Sequence, residues 1–190
     1  GMIRNSYILL LLSLSYSATL LDNELLHFRQ PDTSFYFQPV WDDLGTVIMI
    51  ICNHCPYVIH YHDQIQSLAS KYQKNDIQFV AISSNDVINY PQDSPEKMNL
   101  LFKKLELDIP YLYDESQEVA KLFKAVCTPE FYLFNYEKKL IYRGRMDASS
   151  PGNDFEVDGK DLRNAIDSFT SEKKITNKQF PSMGCNIKWK

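Results

Sequence analysis

The chain has 190 residues, 44% hydrophobic and 23% charged, which is long enough to bury the core of one domain and too short to argue for two. A formal charge of −4 at pH 7 leaves no electrostatic case for nucleic acid, which calls for lysine and arginine gathered on one face, and no polybasic run is present to hold an acidic membrane. Four cysteines are too few for a disulfide scaffold at this length, and only Cys52 and Cys55 lie close together, so cysteine is used here in a catalytic style.

Arg4 precedes a short apolar stretch over 7–14, and Ser15, Ser17 and Ala18 supply small residues for cleavage. Residues 1–18 therefore read as a signal peptide, and the protein as exported or periplasmic, with the cytoplasm as the alternative. The stretch falls short of the about 20 apolar residues that a spanning helix needs, so no stable membrane insertion is expected. Residues 19–190 are expected to form a single domain that includes a C-terminal tail over 172–190.

Phe35-Tyr36-Phe37 predicts a strand within 34–38, and Asp42-Asp43-Leu44-Gly45 is a turn into the apolar run 46–51, a buried strand. The period then changes. Val58, Ile65, Leu68, Ala69 and Tyr72 recur at helical intervals and predict one amphipathic helix over about 55–73. A second apolar run of strand length, 77–82, ends in Ser83-Ser84-Asn85-Asp86. Ser94-Pro95 is a helix start, with Met98, Leu101, Phe102 and Leu105 on the apolar face. A short extended segment over 109–113 follows, and Ser116 is placed to cap a helix carrying Val119, Ala120, Leu122 and Phe123. The runs 131–134 and 140–142 flank a turn as an antiparallel hairpin, and a last helix runs from Asp161 to about Ser171. Strands separated by helices, closing in a hairpin and a helix, make an α/β architecture with a mixed central sheet.

Cys52-Asn53-His54-Cys55 stands directly after the run 46–51 and directly before the helical pattern. A strand that ends in C-x-x-C and turns at once into a helix puts the first sulfur at the helix N-terminus, where unpaired N–H groups and the macrodipole favour a thiolate. Cys52 is thus expected to be the exposed nucleophile of thiol–disulfide exchange, and Cys55, one turn on and more buried, the thiol that resolves the mixed disulfide. A partly protonated His54 beside the thiolate would favour the reduced form. It implies a potential between the roughly −270 mV of thioredoxin and the about −180 mV of protein disulfide isomerase.

This order of parts, with Thr128-Pro129 ahead of the hairpin and closing helix, resembles the thioredoxin fold. The 129 − 55 = 74 residues from Cys55 to Pro129 exceed a minimal thioredoxin, so an inserted strand–helix segment is expected within 83–113. That enlargement resembles the TlpA-like and AhpC/TSA (peroxiredoxin-like) branch. Ile51-Cys52-Asn53-His54-Cys55-Pro56-Tyr57-Val58, the string 111–120 and Pro181-Ser182-Met183-Gly184-Cys185 are similar to a bacterial group of thiol-disulfide oxidoreductases, over roughly 34–190. The resemblance implies a thioredoxin-like protein-disulfide oxidoreductase with a cis Pro129 facing the cysteine pair, and Thr128 offering its main chain to an incoming extended peptide. It implies no cofactor beyond the cysteine pair and no metal. The partners would be a disulfide-containing protein or small thiol substrate and an upstream redox partner.

The chain also departs from the pattern. Thr46 stands where thioredoxin has a buried aspartate, which leaves the proton acceptor for Cys55 open, with Asp114 and Glu115 as substitutes. A peroxiredoxin site would make Cys55 peroxidatic and would need proline at 48 and threonine at 52, where this chain has Ile48 and Cys52; Arg143 and Arg145 lie too far along for that family's arginine. A thiol peroxidase is therefore the second reading, and a redox-inert peptide-binding module the third. A zinc site built from the cysteine pair with His54, His60 and His62 lacks a second C-x-x-C, and His60 and His62 read as solvated. Cys127 reads as a small buried hydrophobe or a third redox thiol. Cys185 reads as an extra resolving thiol reaching Cys52 or as a packing residue.

Overall fold

The computed structural model describes residues 44–137, 139–175 and 179–190. Ahead of these it defines four short strand segments, Tyr7–Leu9 antiparallel to Leu25–His27 and Leu11–Leu12 antiparallel to Ala18–Thr19. The strand expected over 34–38 lies outside the described residues, and so does the leader expected over 1–18 apart from those segments.

The apolar run after the first turn forms β1 (Gly45–Ile50), buried along its whole length. It lies parallel to β2 (Ile77–Ser83) and antiparallel to β5 (Glu130–Asn135). With β3 (Tyr111–Tyr113) and β6 (Leu140–Gly144) at the edges, the order is β6-β5-β1-β2-β3, a mixed five-stranded sheet. Both faces of β1 are covered, which is why its sequence is a continuous apolar run and not an alternating one. Val47 and Met49 pack with Ile65 and Leu68 of α2 (His62–Tyr72), Met98 and Phe102 of α3 (Pro95–Lys104), and Leu162 and Ile166 of α5 (Lys160–Thr170). Ile48 and Ile50 point the other way, towards Val119 and Ala120 of α4 (Glu118–Leu122) and Phe123. Each such side chain, fully buried, stabilises the fold by roughly 1.5–3 kcal/mol. The inserted segment expected within 83–113 holds a 3₁₀ turn (Pro91–Asp93), α3 and the edge strand β3.

Three local features differ from the pattern in the sequence. The helix expected over 55–73 is two helices, α1 (Pro56–Ile59) and α2, because Tyr61 leaves the helical region at φ −103° and ψ 4°. Its hydroxyl is anchored on Asp147 Oδ1 at 2.8 Å and on the Ser149 carbonyl. Asp147, which is 2% exposed, also accepts the N–H groups of Ser149, Asp158 and Gly159, so one carboxylate ties α1 to the start of α5. Ser94 precedes α3 as expected, yet its side chain makes no capping hydrogen bond. At α4 the cap is Asp114, whose carboxylate accepts from Val119 and Ala120 N–H at 3.3 and 3.1 Å; Ser116 reaches only the Glu118 N–H.

The tail returns to the sheet. Its strand β7 (Cys185–Asn186) pairs antiparallel with β4 (Cys127–Thr128), setting Cys185 opposite Thr128 and Asn186 opposite Cys127. Gly184 makes this approach possible, since a Cβ there would fall well inside the Thr128 carbonyl. Ile187, 4% exposed, enters the core on the α4 side, and the Lys188 carbonyl accepts from Asp86 N–H at 2.8 Å and Gln117 Nε2 at 2.9 Å. No helix of the described residues is long and apolar enough to cross a membrane.

Candidate active site

β1 delivers the cysteine motif to the carboxyl end of the sheet, where open α/β sheets bind their ligands. Cys55, and not Cys52, is the N-cap of the first helix, with φ −67° and ψ 124°, and Pro56 opens α1. The expectation of an exposed Cys52 at the helix start is therefore corrected: Cys52 lies in the loop before it, and both residues are 0% exposed. The strand β1 is central and both its flanks are covered, so the residues that follow it begin inside the protein. The Thr128–Pro129 peptide is cis, as the resemblance implied. Thr128 meets both sulfurs, its Oγ1 lying 3.6 Å from Cys52 Sγ and its carbonyl oxygen 3.4 Å from Cys55 Sγ.

Cys55 is the middle sulfur of three. Cys185 Sγ lies 2.7 Å from it on the side of the tail. On the other side Cys52 shares a hydrogen bond with it, and this bond holds Cys55 well below the usual thiol range. Burial opposes that shift, and hydrogen bonds with Cys185, Thr128 and the Val58 N–H reinforce it. Cys52 is pushed up for the matching reason: its proton serves Cys55, it is buried, and it faces the charge of Asp93. The two thiols are coupled through that hydrogen bond, which holds Cys55 low and pushes Cys52 up.

Asp93 is a candidate site residue that the sequence did not disclose. It closes a single 3₁₀ turn, Pro91–Asp93, in the inserted segment, and it is 0% exposed. Its carboxylate accepts Asn53 N–H at 2.8 Å, His54 N–H at 3.3 Å and Asn85 Nδ2 at 2.9 Å, and so fixes the loop between the two cysteines. His54 Nδ1 also lies 2.6 Å from Asp93 Oδ2 but out of line for a hydrogen bond, so this contact is an ion pair in character when the ring is protonated. The imidazole stacks on Tyr90 at 5.8 Å and 11°. His54, expected from sequence to favour the reduced form of the pair, is thus also in contact with a buried carboxylate. Tyr111 completes the loop, its hydroxyl donating to Asn53 Oδ1 at 2.9 Å. In sequence Asp93 is marked only by its place before Ser94-Pro95, which reads as turn chemistry. The two acids expected as proton acceptors are elsewhere: Asp114 caps α4, and Glu115 is exposed.

Donor atoms of Cys52, His54 and Asp93 lie within 4.8 Å of one another and could hold a cation, although three N–H groups already occupy the Asp93 oxygens. The zinc set considered from sequence is not assembled, because His60 Nε2 bonds Ser149 Oγ at 2.8 Å. His60 and His62 are part-buried rather than solvated, and burial lowers the pKa of His62. Arg143 is held by Glu130 at 2.9 Å, and Arg145 by Asp161 at 2.6 Å. Cys127 is 6% exposed, its sulfur 3.7 Å from the Ser182 carbonyl, and burial followed by the charge of Glu130 pushes its thiol up to about 12. The Thr128 main chain, expected to be open to an incoming peptide, is instead paired with the chain's own Cys185.

Comparison with known proteins agrees with this architecture. A solved structure of a hypothetical protein from Sinorhizobium meliloti is similar at 38% identity and a TM-score of 0.77, over 79% of this chain and 82% of its own. An uncharacterized conserved protein from Geobacillus kaustophilus is similar at 39% identity and a TM-score of 0.77, over 97% and 88%. A thioredoxin-like protein from Aeropyrum pernix, at 13% identity and a TM-score of 0.57 over 75% and 88%, shares the fold. None of the curated proteins matches the chain. The fold is thus thioredoxin-like, and residues 39–161, which run from before β1 to the start of α5 and hold both Cys52 and Cys55, match the Redoxin family, to which this chain belongs.

Proposed function

We propose that the protein is a thiol–disulfide oxidoreductase in which Cys55 is the nucleophile and Cys52 its resolving partner. The observation that carries this reading is the place of the Cys55 sulfur at a helix N-cap, in contact with Thr128 and Cys185, with its thiol held well below the usual range first by its hydrogen bond with Cys52. The Cys55 thiolate attacks one sulfur of a disulfide, forming a mixed disulfide and expelling the other sulfur as a thiolate. Cys52 then attacks the Cys55 sulfur, closing Cys52–Cys55 and expelling the second substrate thiolate. Two electrons pass to the substrate, and the proton of Cys52 leaves through Asp93, the nearest buried carboxylate, to a departing thiolate. No cofactor beyond the cysteines enters this scheme. Because the tail occupies the Thr128 main chain, a small disulfide suits the site better than an extended peptide.

Turnover of a small disulfide and of insulin with dithiothreitol as reductant, beside a peroxide-consumption assay, tests the reading. Acceleration by the wild type that is lost in Cys55→Ser supports it, and equal acceleration by both proteins refutes it. Peroxide consumption without disulfide exchange would instead identify a thiol peroxidase, and silence in both assays a binding module. The exported location read from residues 1–18 belongs to the same proposal. N-terminal sequencing of the protein from its native cell supports export if the mature chain starts past that segment, and an intact Met2 refutes it.

A further inference from the structure

We propose that Cys185 is a third catalytic thiol, which forms a disulfide with Cys55 and is the sulfur at which that disulfide exchanges with small thiols from solvent. The inference rests on the reading of Cys52 and Cys55 as a redox centre and assigns the route by which that centre meets the outside. Three observations carry it. The sulfurs form a row with Cys55 in the middle, Cys185 Sγ lying 2.7 Å away. Cys52 and Cys55 are both 0% exposed, whereas Cys185 keeps part of its surface in solvent. The position of Cys185 is also built into the fold: β7 is in register with β4, Gly184 fits against the Thr128 carbonyl where no Cβ would, and Ile187 and the Lys188 main chain anchor the following residues.

The chemistry balances in both directions. In oxidation, the tail lifts to uncover the Cys55 sulfur, which is 0% exposed at rest, and the Cys55 thiolate attacks a small disulfide and releases one thiolate. Cys185 then attacks the Cys55 sulfur, closing Cys55–Cys185 and releasing the second thiolate, and the proton lost by Cys185 goes to it. In reduction, a solvent thiolate attacks the Cys185 sulfur and expels the Cys55 thiolate, and a second molecule of the same thiol clears the mixed disulfide on Cys185. Two small thiols become one disulfide, and the protein recovers two thiols. Access selects Cys185 as the sulfur attacked, and so does leaving-group quality: Cys55 is held low, whereas burial and its hydrogen bond to Cys55 push Cys185 up to about 11. Cys52 can in turn displace Cys185 from Cys55, moving the disulfide to the inner pair.

The full chain, treated with limiting oxidised glutathione, quenched by alkylation and mapped by mass spectrometry, tests the wiring. The expected result is a Cys55–Cys185 peptide pair in the wild type and, as the main product, in Cys52→Ser and Cys52→Ala, with Cys127 alkylated throughout. Reduction of the oxidised protein by glutathione should slow at least about tenfold in Cys185→Ser and stay unchanged in Cys127→Ser. Recovery of Cys55 only as a glutathione adduct or in Cys52–Cys55, with Cys185 alkylated in all proteins, would overturn the proposal and leave the oxidoreductase reading standing. An unreacted Cys55 in the wild type would overturn both.

Discussion

The two flanks of Cys55 are built from different material. On the flank of Cys52 the loop is sealed: Asp93, Asn53, His54 and Tyr111 form one hydrogen-bonded and ion-paired block, and its sulfur has no solvent contact. On the flank of Cys185 the neighbour is a two-residue strand near the chain end, held by a close fit at Gly184 and by a few main-chain hydrogen bonds, and its sulfur is partly exposed. The hydrogen bond to Cys55, then burial, then the charge of Asp93 push the Cys52 thiol up, and the same hydrogen bond holds the Cys55 thiol low. In the proposed exchange, electrostatics sets which sulfur attacks and accessibility sets which one meets the solvent. The two properties that a single exposed thiol would combine are divided here between Cys55 and Cys185.

The strongest way to break this contrast is Cys55→Ser, which removes the sulfur common to both flanks. Exchange with small disulfides should fall at least about a thousandfold, and the thiolate absorbance of the reduced protein below pH 9 should vanish with it. The sign follows from the shift. A thiol held below its ordinary value of 9.0 adds stability that is complete above that pH and is lost as pH falls through the lower folded value. Cys52, shifted the other way, costs stability as pH rises above 9.0. Acid–base titration of chemical stability for the reduced wild type and Cys55→Ser should therefore diverge below pH 9, and superimposable curves would contradict the assignment of charge.

Gly184→Ala attacks the outer flank alone. The added Cβ runs into the Thr128 carbonyl, so the tail must lift, and alkylation of Cys55 should quicken by about tenfold or more. An unchanged rate would mean that something other than the tail seals the site. Asp93→Asn weakens the inner flank by removing its charge while keeping an oxygen acceptor. Relief of the repulsion should favour the reduced pair and raise its potential by about 30 mV, the equivalent of about 1.4 kcal/mol for two electrons. A potential that stays still or falls would show that the charge of Asp93 does not govern Cys52. Tyr111→Phe, the mildest change, deletes the hydrogen bond to Asn53 at 2.9 Å and should lower the denaturation free energy by about 1 kcal/mol with little effect on turnover.

The central strand, the helix start at Pro95, the hairpin and the last helix were all legible in the sequence because each follows from the period of apolar side chains over one short stretch. The cysteine motif was legible for the same reason, as a strand-to-helix junction. Its internal roles were not. That the helical pattern after Cys55 breaks at Tyr61 goes with the bond of that side chain to Asp147, 86 residues further along. That the buried acid is Asp93 depends on a turn in the inserted segment folding back over the loop, 40 residues from Asn53. No local pattern distinguishes such an aspartate from one in an ordinary surface turn.

The sequence by itself determined the α/β class, the order of the elements and the pair of thiols at the end of a buried strand, since these rest on local periodicity and on residue chemistry. Only the tertiary structure decided which thiol caps the helix, which carboxylate faces Cys52, and that Cys185, 130 residues from Cys55 in the chain, stands 2.7 Å from it. A thiol's acidity and access depend on the donors, charges and solvent around its sulfur, and in this chain those neighbours arrive from β4, the inserted turn and the tail.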